Sequence, residues 1–375
     1  MNEKYNWINA LRGYAILLVI LIHSSQAFKV SDFSKIICDK GDLGVQLFFI
    51  LSSFTLFNSY SKRKFQEGLD VNRNFFIRRF FRIAPYYYIA GIIYVFYYFI
   101  KKNPVNVNNL IANFTFTNGL YLPGINDIPP GGWSIGVEML FYLSIPMLFK
   151  YIDSLRKSIL LFVVTMLFSI MINHYLLNYT TLFLNSIWSN INPWSLYFWL
   201  PNQLPIFILG IILYYINSNM VFSFQSGRMI LILSIILFIG FSFFKFSLDY
   251  PFYLIKREYV YGLIFVLFAI GVYTTNNEII INSFIQKIGI VSFSMYLNHF
   301  LIVSVLGFIG NGIYKILVDY FNLSDLMLRN DFVFWCFYFL IILITYIISK
   351  NTYKYIEIKG INLGSKFINK FTENK

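Results

Sequence analysis

An arginine and a histidine, Arg12 and His23, stand eleven residues apart in one mainly apolar stretch. In a helix, that spacing brings both side chains to within about 20° of one face, ~16 Å apart along the axis. Glu138 lies four residues beyond Ser134 in a second apolar stretch, opened by Pro129-Pro130-Gly131-Gly132-Trp133-Ser134. In Phe76-Ile77-Arg78-Arg79-Phe80-Phe81-Arg82-Ile83-Ala84-Pro85, Arg82 follows Arg78 by four residues and Arg79 by three, so the guanidinium groups can cluster. Clustered guanidiniums grip phosphates bidentately. An imidazole, titrating near neutrality, can take a proton from a hydroxyl, and a carboxylate can orient it. These residues predict a phosphate-bearing donor docked on the arginines and reaching a His23/Glu138 pair at the opposite mouth of one water-accessible passage.

Each residue also has a plain structural reading. Arg12 can snorkel to headgroups, and His23 can be a hydrogen-bonded structural histidine. Glu138 can be a first-turn carboxylate favoured by the helix dipole, and the arginine box can anchor the chain at lipid headgroups. His299, in Ser294-Met295-Tyr296-Leu297-Asn298-His299, either lines the same cavity or joins Asn298 in bonding helix to helix. His174 and the run Tyr86-Tyr87-Tyr88 need no special role. The polar stretch Asn113-Phe114-Thr115-Phe116-Thr117-Asn118 fits either sugar binding or an ordinary loop. The shared stripe of Arg12 and His23 favours function, because an ionisable residue inside a membrane costs about 2.5–3.5 kcal/mol on insertion scales.

The elements that must position these residues are membrane helices. Of 375 residues, 58% are hydrophobic, 21% aromatic and only 13% charged, and the mean hydropathy is +0.63. A soluble fold cannot hide that much apolar surface behind a polar skin. Ten apolar stretches of about 20 residues lie near 8–28, 41–60, 80–100, 133–151, 158–177, 200–217, 229–248, 257–275, 287–309 and 331–350. They predict an all-α, polytopic transmembrane bundle, with the longest polar gaps at 101–132 and 178–199. Glu138, ~6 Å into its span, and His23, ~7.5 Å from the end of its own, then share an outer depth.

Cytoplasmic termini place twenty of the thirty Lys and Arg residues inside, from Lys4 and Arg12 through Arg78, Arg79 and Arg82 to Lys375. The same loop bias accounts for the net charge of +13 without nucleic acid. The expected organisation is one transmembrane domain over 1–357 and a basic cytoplasmic tail over 358–375. No cleavable signal peptide is expected. Cys38 and Cys336 show no pairing logic, and no metal site is indicated.

At these positions the chain resembles the membrane-bound acyltransferase-3 family, which acylates cell-envelope glycans and lipids in bacteria. The resemblance is carried by Arg12 and His23 as an Arg-x10-His stretch, by Gly41 to Phe54, and by the Arg78-Arg79-x-x-Arg82 box. It continues in Trp133-Ser134-Ile135-Gly136-Val137-Glu138, similar to a Trp-Ser-x-x-x-Glu motif, and in Tyr296-Leu297-Asn298-His299, and spans about 6–357. It implies transfer of an acyl group, usually acetyl, from cytoplasmic acyl-CoA to a hydroxyl of an extracytoplasmic saccharide at a bacterial plasma membrane. Arg12, His23 and Glu138 would be catalytic. Arg78, Arg79 and Arg82, with Arg12, would hold acetyl-CoA, and Ser52, Ser53, Trp133, Ser134, Tyr296 and His299 would line the cavity. The family's Ser-Gly-Phe is Ser52-Ser53-Phe54 here, and its closing Glu-Lys-Pro is Glu357-Ile358-Lys359-Gly360. Many relatives carry a further esterase-like domain, so this chain is expected to act alone or to hand its acyl group to a separate protein. The alternative is a proton-coupled exporter of a saccharide or lipid using His23 and Glu138, which predicts repeats and broken helices that the sequence does not display.

Overall fold

A computed structural model describes residues 5–28, 30–179, 193–243, 256–321 and 326–373. Among them there is no strand. Ten helices carry 19–30 residues each: α1 (Asn6–Ala27), α3 (Gly44–Glu67), α4 (Val71–Ile100), α6 (Gly132–Tyr151), α7 (Leu155–Tyr179), α9 (Leu200–Asn219), α10 (Phe224–Phe243), α11 (Arg257–Thr275), α13 (Ser292–Phe321) and α14 (Leu326–Thr352). Five shorter ones complete the order: α2 (Asp32–Cys38), α5 (Val107–Phe114), α8 (Pro193–Phe198), α12 (Ser283–Ile290) and α15 (Ile358–Glu373). Nine segments among the described residues are long and apolar enough to cross a membrane, and one of them, Asp32–Ile100, holds both α3 and α4. The chain is a polytopic helical bundle. Lys4, Lys375, most of the gap at 178–199 and the end of the stretch at 229–248 lie outside the described residues.

Between apolar helices in a bilayer, burial from water no longer drives association. Close packing and hydrogen bonds from polar side chains must do it. α1 is held this way from several sides. Tyr14 donates to the carbonyl of Ile280 (3.1 Å) and Tyr338 on α14 to that of Leu17 (3.1 Å). A Cβ at Gly44 would lie 2.9 Å from Val19, so α3 passes too close to α1 for any side chain there. α3 runs antiparallel to α1: Gly44 faces Ala15, Thr55 meets Arg12 and Asn58 meets Tyr5.

Both ends of the described chain lie at one end of the bundle, beside the turn joining α3 to α4. Tyr5 bonds Asn58 near the close of α3, and Arg73 at the start of α4 stacks over Phe371 (4.9 Å). This is the basic end. The other, the loop end, gathers α2, α5, α8 and the segment before α6.

Several boundaries differ from the sequence reading, and two of them bear on the site. α4 begins at Val71 rather than near 80, so the arginine box sits about two to three turns inside it. The expected helix at 287–309 is two, α12 and α13, broken at Val291. Residues 358–373 form α15, following a π-helical turn at Tyr353–Glu357. α15 packs on α4 through Phe367 and Phe81, whose rings stack at 5.1 Å.

Candidate functional site

Two cavities lie inside the bundle. The larger, about 950 Å³, opens towards the loop end, with His23, Gln26, Trp133, Tyr197, Phe198 and Phe300 in its lining. The smaller, about 100 Å³, is nearer the basic end and is lined by Arg12, Arg79, Arg82, Ser52, Glu138 and Tyr142, among others. Val45 and Tyr296 line both. The passage expected to be continuous is therefore two chambers meeting at Tyr296. The phenol donates to the carbonyl of Gly131 (2.9 Å) and accepts from Ser134 (2.8 Å). Gly131 sits at φ +76°, where a Cβ would be strained, and this lets the loop deliver its carbonyl to the phenol.

His23 projects from α1 into the large cavity. Its Nδ1 lies 3.1 Å from Oε1 of Gln26. With the amide oxygen of Gln26 facing it, Nδ1 is the ring nitrogen placed to donate, and Nε2 is the one left to act as a base. Behind it stands His299, fully buried, with ring centroids 5.3 Å apart. His299 Nδ1 is 2.7 Å from the carbonyl of Tyr296, and its Nε2 has no partner among the described residues. Phe300 packs against both imidazoles, at 4.3 and 4.1 Å. His299 is thus the second layer of the wall rather than a cavity-lining residue.

The small chamber is cationic. Arg12 donates to Thr55 (3.2 Å) and Arg79 to Ser59 (3.2 Å), while Nε of Arg79 is buried without an acceptor. Among the described residues no carboxylate lies within ion-pair distance of Arg12, Arg79 or Arg82. Glu138 accepts instead from Ser52 and from Tyr142 (2.7 Å). Three guanidiniums against one carboxylate leave a surplus of positive charge in a buried space, and an uncompensated buried cation is costly until an anion joins it.

Several expected placements change. Glu138 is not against His23 and does not share its depth; it lies with the arginines in the chamber nearer the basic end, because α6 starts already sunk into the bundle, with Gly132, Trp133 and Ser134 buried. Arg78 leaves the cluster. It bonds both oxygens of Glu67 (2.8 and 3.0 Å), and Glu67 also takes Arg63 (3.1 Å). Neighbouring helix residues are about 100° apart, so Arg78 and Arg79 cannot share a face, whereas Arg79 and Arg82 can. Ser52 lines the small chamber, but Ser53 is fully buried against Gly210 of α9, where a Cβ would sit 2.8 Å from that of Ser53. The serine in place of glycine therefore alters helix packing, not the chamber. Trp133 lines the large cavity, tilted on Phe198 (4.8 Å), and Ser134 lines the small one. Asn113 and Asn118 are fully buried and bond the carbonyls of Gly124 (3.0 Å) and Ile125 (3.2 Å), so they hold the loop rather than sugars.

Sequence reasoning missed Gln26, Thr55 and Tyr142. Gln26 and Tyr142 stand three and four residues from His23 and Glu138, a helical spacing that signals contact. It also missed Glu357, which is buried, accepts from Ser294 and keeps one oxygen unpartnered. His174, given no role, lines the large cavity.

The fold and the two chambers define a helical membrane protein that can hold an anion close to a histidine-bearing cavity. The acyltransferase domain of the acyltransferase-3 family matches residues 5–350, and the chain belongs to that family. It is a multi-pass membrane acyltransferase. No curated protein and no solved structure matches it.

Proposed function

We propose that this acyltransferase moves an acyl group, acetyl in the simplest case, from acyl-CoA to a hydroxyl of a saccharide held in the large cavity. In this reading the basic end faces the cytoplasm of a bacterium, and the saccharide belongs to its cell envelope. The observation that carries the reading is the excess of guanidinium in the small chamber, adjoining the cavity of His23 across Tyr296. Phosphates of coenzyme A are polyanions of the kind Arg79 and Arg82 can grip. Arg12 would guide the pantetheine arm, whose extended length suits the ~16 Å rise from Arg12 to His23.

In the transfer, Nε2 of His23 takes the proton of the acceptor hydroxyl as its oxygen attacks the thioester carbonyl. The new C–O ester bond forms, the C–S bond breaks, and the imidazolium returns the proton to the leaving thiolate, giving free coenzyme A. Gln26 holds the imidazole in the tautomer this needs. Glu138 steadies the arginine cluster through Ser52 and Tyr142, which replaces its expected role of orienting His23. An acyl-imidazole intermediate would use the same nitrogen.

The test is the ester content of surface glycans, by NMR or mass analysis, in cells carrying wild-type or variant protein at equal level. His23→Ala and Glu138→Gln should both remove the ester. Wild-type ester content in the His23 variant overturns the reading.

A further inference from the structure

His23 enters the large cavity from the wall built by α1 and α13. A second wall is built by α7, α9 and the residue preceding α11. There Asn173, Asn202 and Lys256 line the cavity, the two asparagines only 8% and 5% exposed. Oδ1 of Asn202 receives three donors: Asn173 Nδ2 (3.2 Å), Ser169 Oγ (3.1 Å) and Nζ of Lys256. A carbonyl oxygen offers two lone pairs, so this one is overcommitted. The remaining acceptors are taken as well. Tyr259 donates to Ser169 (2.9 Å), Trp199 to Oδ1 of Asn173 (3.1 Å), and Nδ2 of Asn202 to the carbonyl of Tyr197 (3.2 Å).

The wall is therefore rich in donors and short of acceptors. An ammonium has three N–H groups and each amide nitrogen two; Lys256 also reaches Ser169 (3.5 Å), and among the described residues Lys256, Asn173 and Asn202 each keep an N–H in hand. Among the described residues Lys256 has no carboxylate within ion-pair distance. Asp39, Asp42, Asp127 and Glu258 line the same cavity; Asp42 is paired with Arg257, and Asp127 accepts from Asn109 (2.7 Å). Burial lowers the pKa of Lys256 to about 8, an effect the charge of Glu258 partly opposes. Helix packing does not account for the lysine. Ser169, Asn202 and Tyr259 already tie α7, α9 and α11 together, and a neutral side chain would serve there at lower desolvation cost.

We infer that Lys256, Asn173 and Asn202 form an oxyanion subsite, so the acceptor is a saccharide bearing a carboxylate or phosphate, anchored there while its hydroxyl meets His23. This rests on the large cavity being the acceptor chamber.

The purified full-length protein in lipid nanodiscs, with excess coenzyme A to fill the arginine chamber, tests it by equilibrium binding. The probes are methyl glucuronide, glucose 1-phosphate and the neutral methyl glucoside. Wild type should bind at least one anionic sugar about tenfold more tightly than the glucoside, as a charge-assisted contact predicts. Which anionic sugar wins separates a carboxylate from a phosphate. Lys256→Gln should reduce that preference to near unity. Asn173→Asp, which keeps the Trp199 contact but puts negative charge in the subsite, should do the same. Ligand-free melting shows that each variant is folded, and either variant alone suffices. Equal binding of the three probes by wild type, no binding of any, or a preference that survives in a folded variant overturns the inference. Binding does not require His23, so ester transfer surviving His23→Ala removes the catalytic reading without touching this result.

Discussion

The two chambers differ by nearly tenfold in volume and by more than that in character. The small one, about 100 Å³, presents guanidiniums that lack carboxylate partners among the described residues and binds its carboxylate through hydroxyls. The large one, about 950 Å³, has aromatic walls and mixed charge: Arg257 is matched to Asp42, while Lys256 stands apart from the other carboxylates of the lining. The contrast separates a place that needs a polyanion to be electrically at rest from a place that can hold a hydrated, ring-shaped molecule. A donor with clustered phosphates suits the first and a sugar the second.

The largest expected effect breaks the large cavity's claim to the chemistry. His23→Ala should lower acyl transfer by about 10²–10⁴-fold, the usual worth of a general base, with acyl-CoA affinity little changed. An affinity loss matching the rate loss would move His23 to the donor side. Next comes the small chamber. Arg79→Ala or Arg82→Ala should weaken acyl-CoA binding by roughly 10–100-fold, as removal of a charge-assisted contact does. Arg78→Ala should leave that affinity within about threefold, because its guanidinium is committed to Glu67. Titrating labelled acyl-CoA into the three purified variants decides; equal losses would return Arg78 to the donor site. At the shared wall, Tyr296→Phe removes the phenol's bond to Gly131. It should raise acyl-CoA hydrolysis without acceptor about fivefold, the equivalent of one net hydrogen bond, and an unchanged hydrolysis rate would show that the phenol separates nothing. The smallest effect is at the second layer. His299→Asn, which can keep the bond to the Tyr296 carbonyl, should cost about threefold in transfer, and His299→Leu about tenfold. Identical losses in the two would show that this bond does not steady the site.

The sequence made parts of both chambers readable and hid others for definite reasons. Arg12 and His23 stood out because any ionisable group in an apolar helix is expensive, and their spacing placed them on one stripe whatever the neighbours. The bundle class followed from composition and run length. The division among Arg78, Arg79 and Arg82 was not readable, because it depends on Glu67, eleven residues earlier, reaching across a turn that the hydropathy pattern does not describe. Glu138 was placed at the depth of His23 because its helix was counted from the membrane surface, whereas α6 starts inside the bundle and carries the carboxylate down to the arginines. Ser53 departed from the family pattern for a reason visible only in the partner helix, where Gly210 makes the room. Glu357 lay in a pattern difference that looked merely local until Ser294 was seen to bond it.

The phenol of Tyr296, tied to a loop carbonyl and a serine, stands between the two chambers. A bilayer that stores energy as an ion gradient tolerates a catalyst threaded through it only if protons and water do not follow the cargo. In the proposed transfer the acyl group has to get past this one side chain, so the strength of its two hydrogen bonds would set both the rate of passage and the leak.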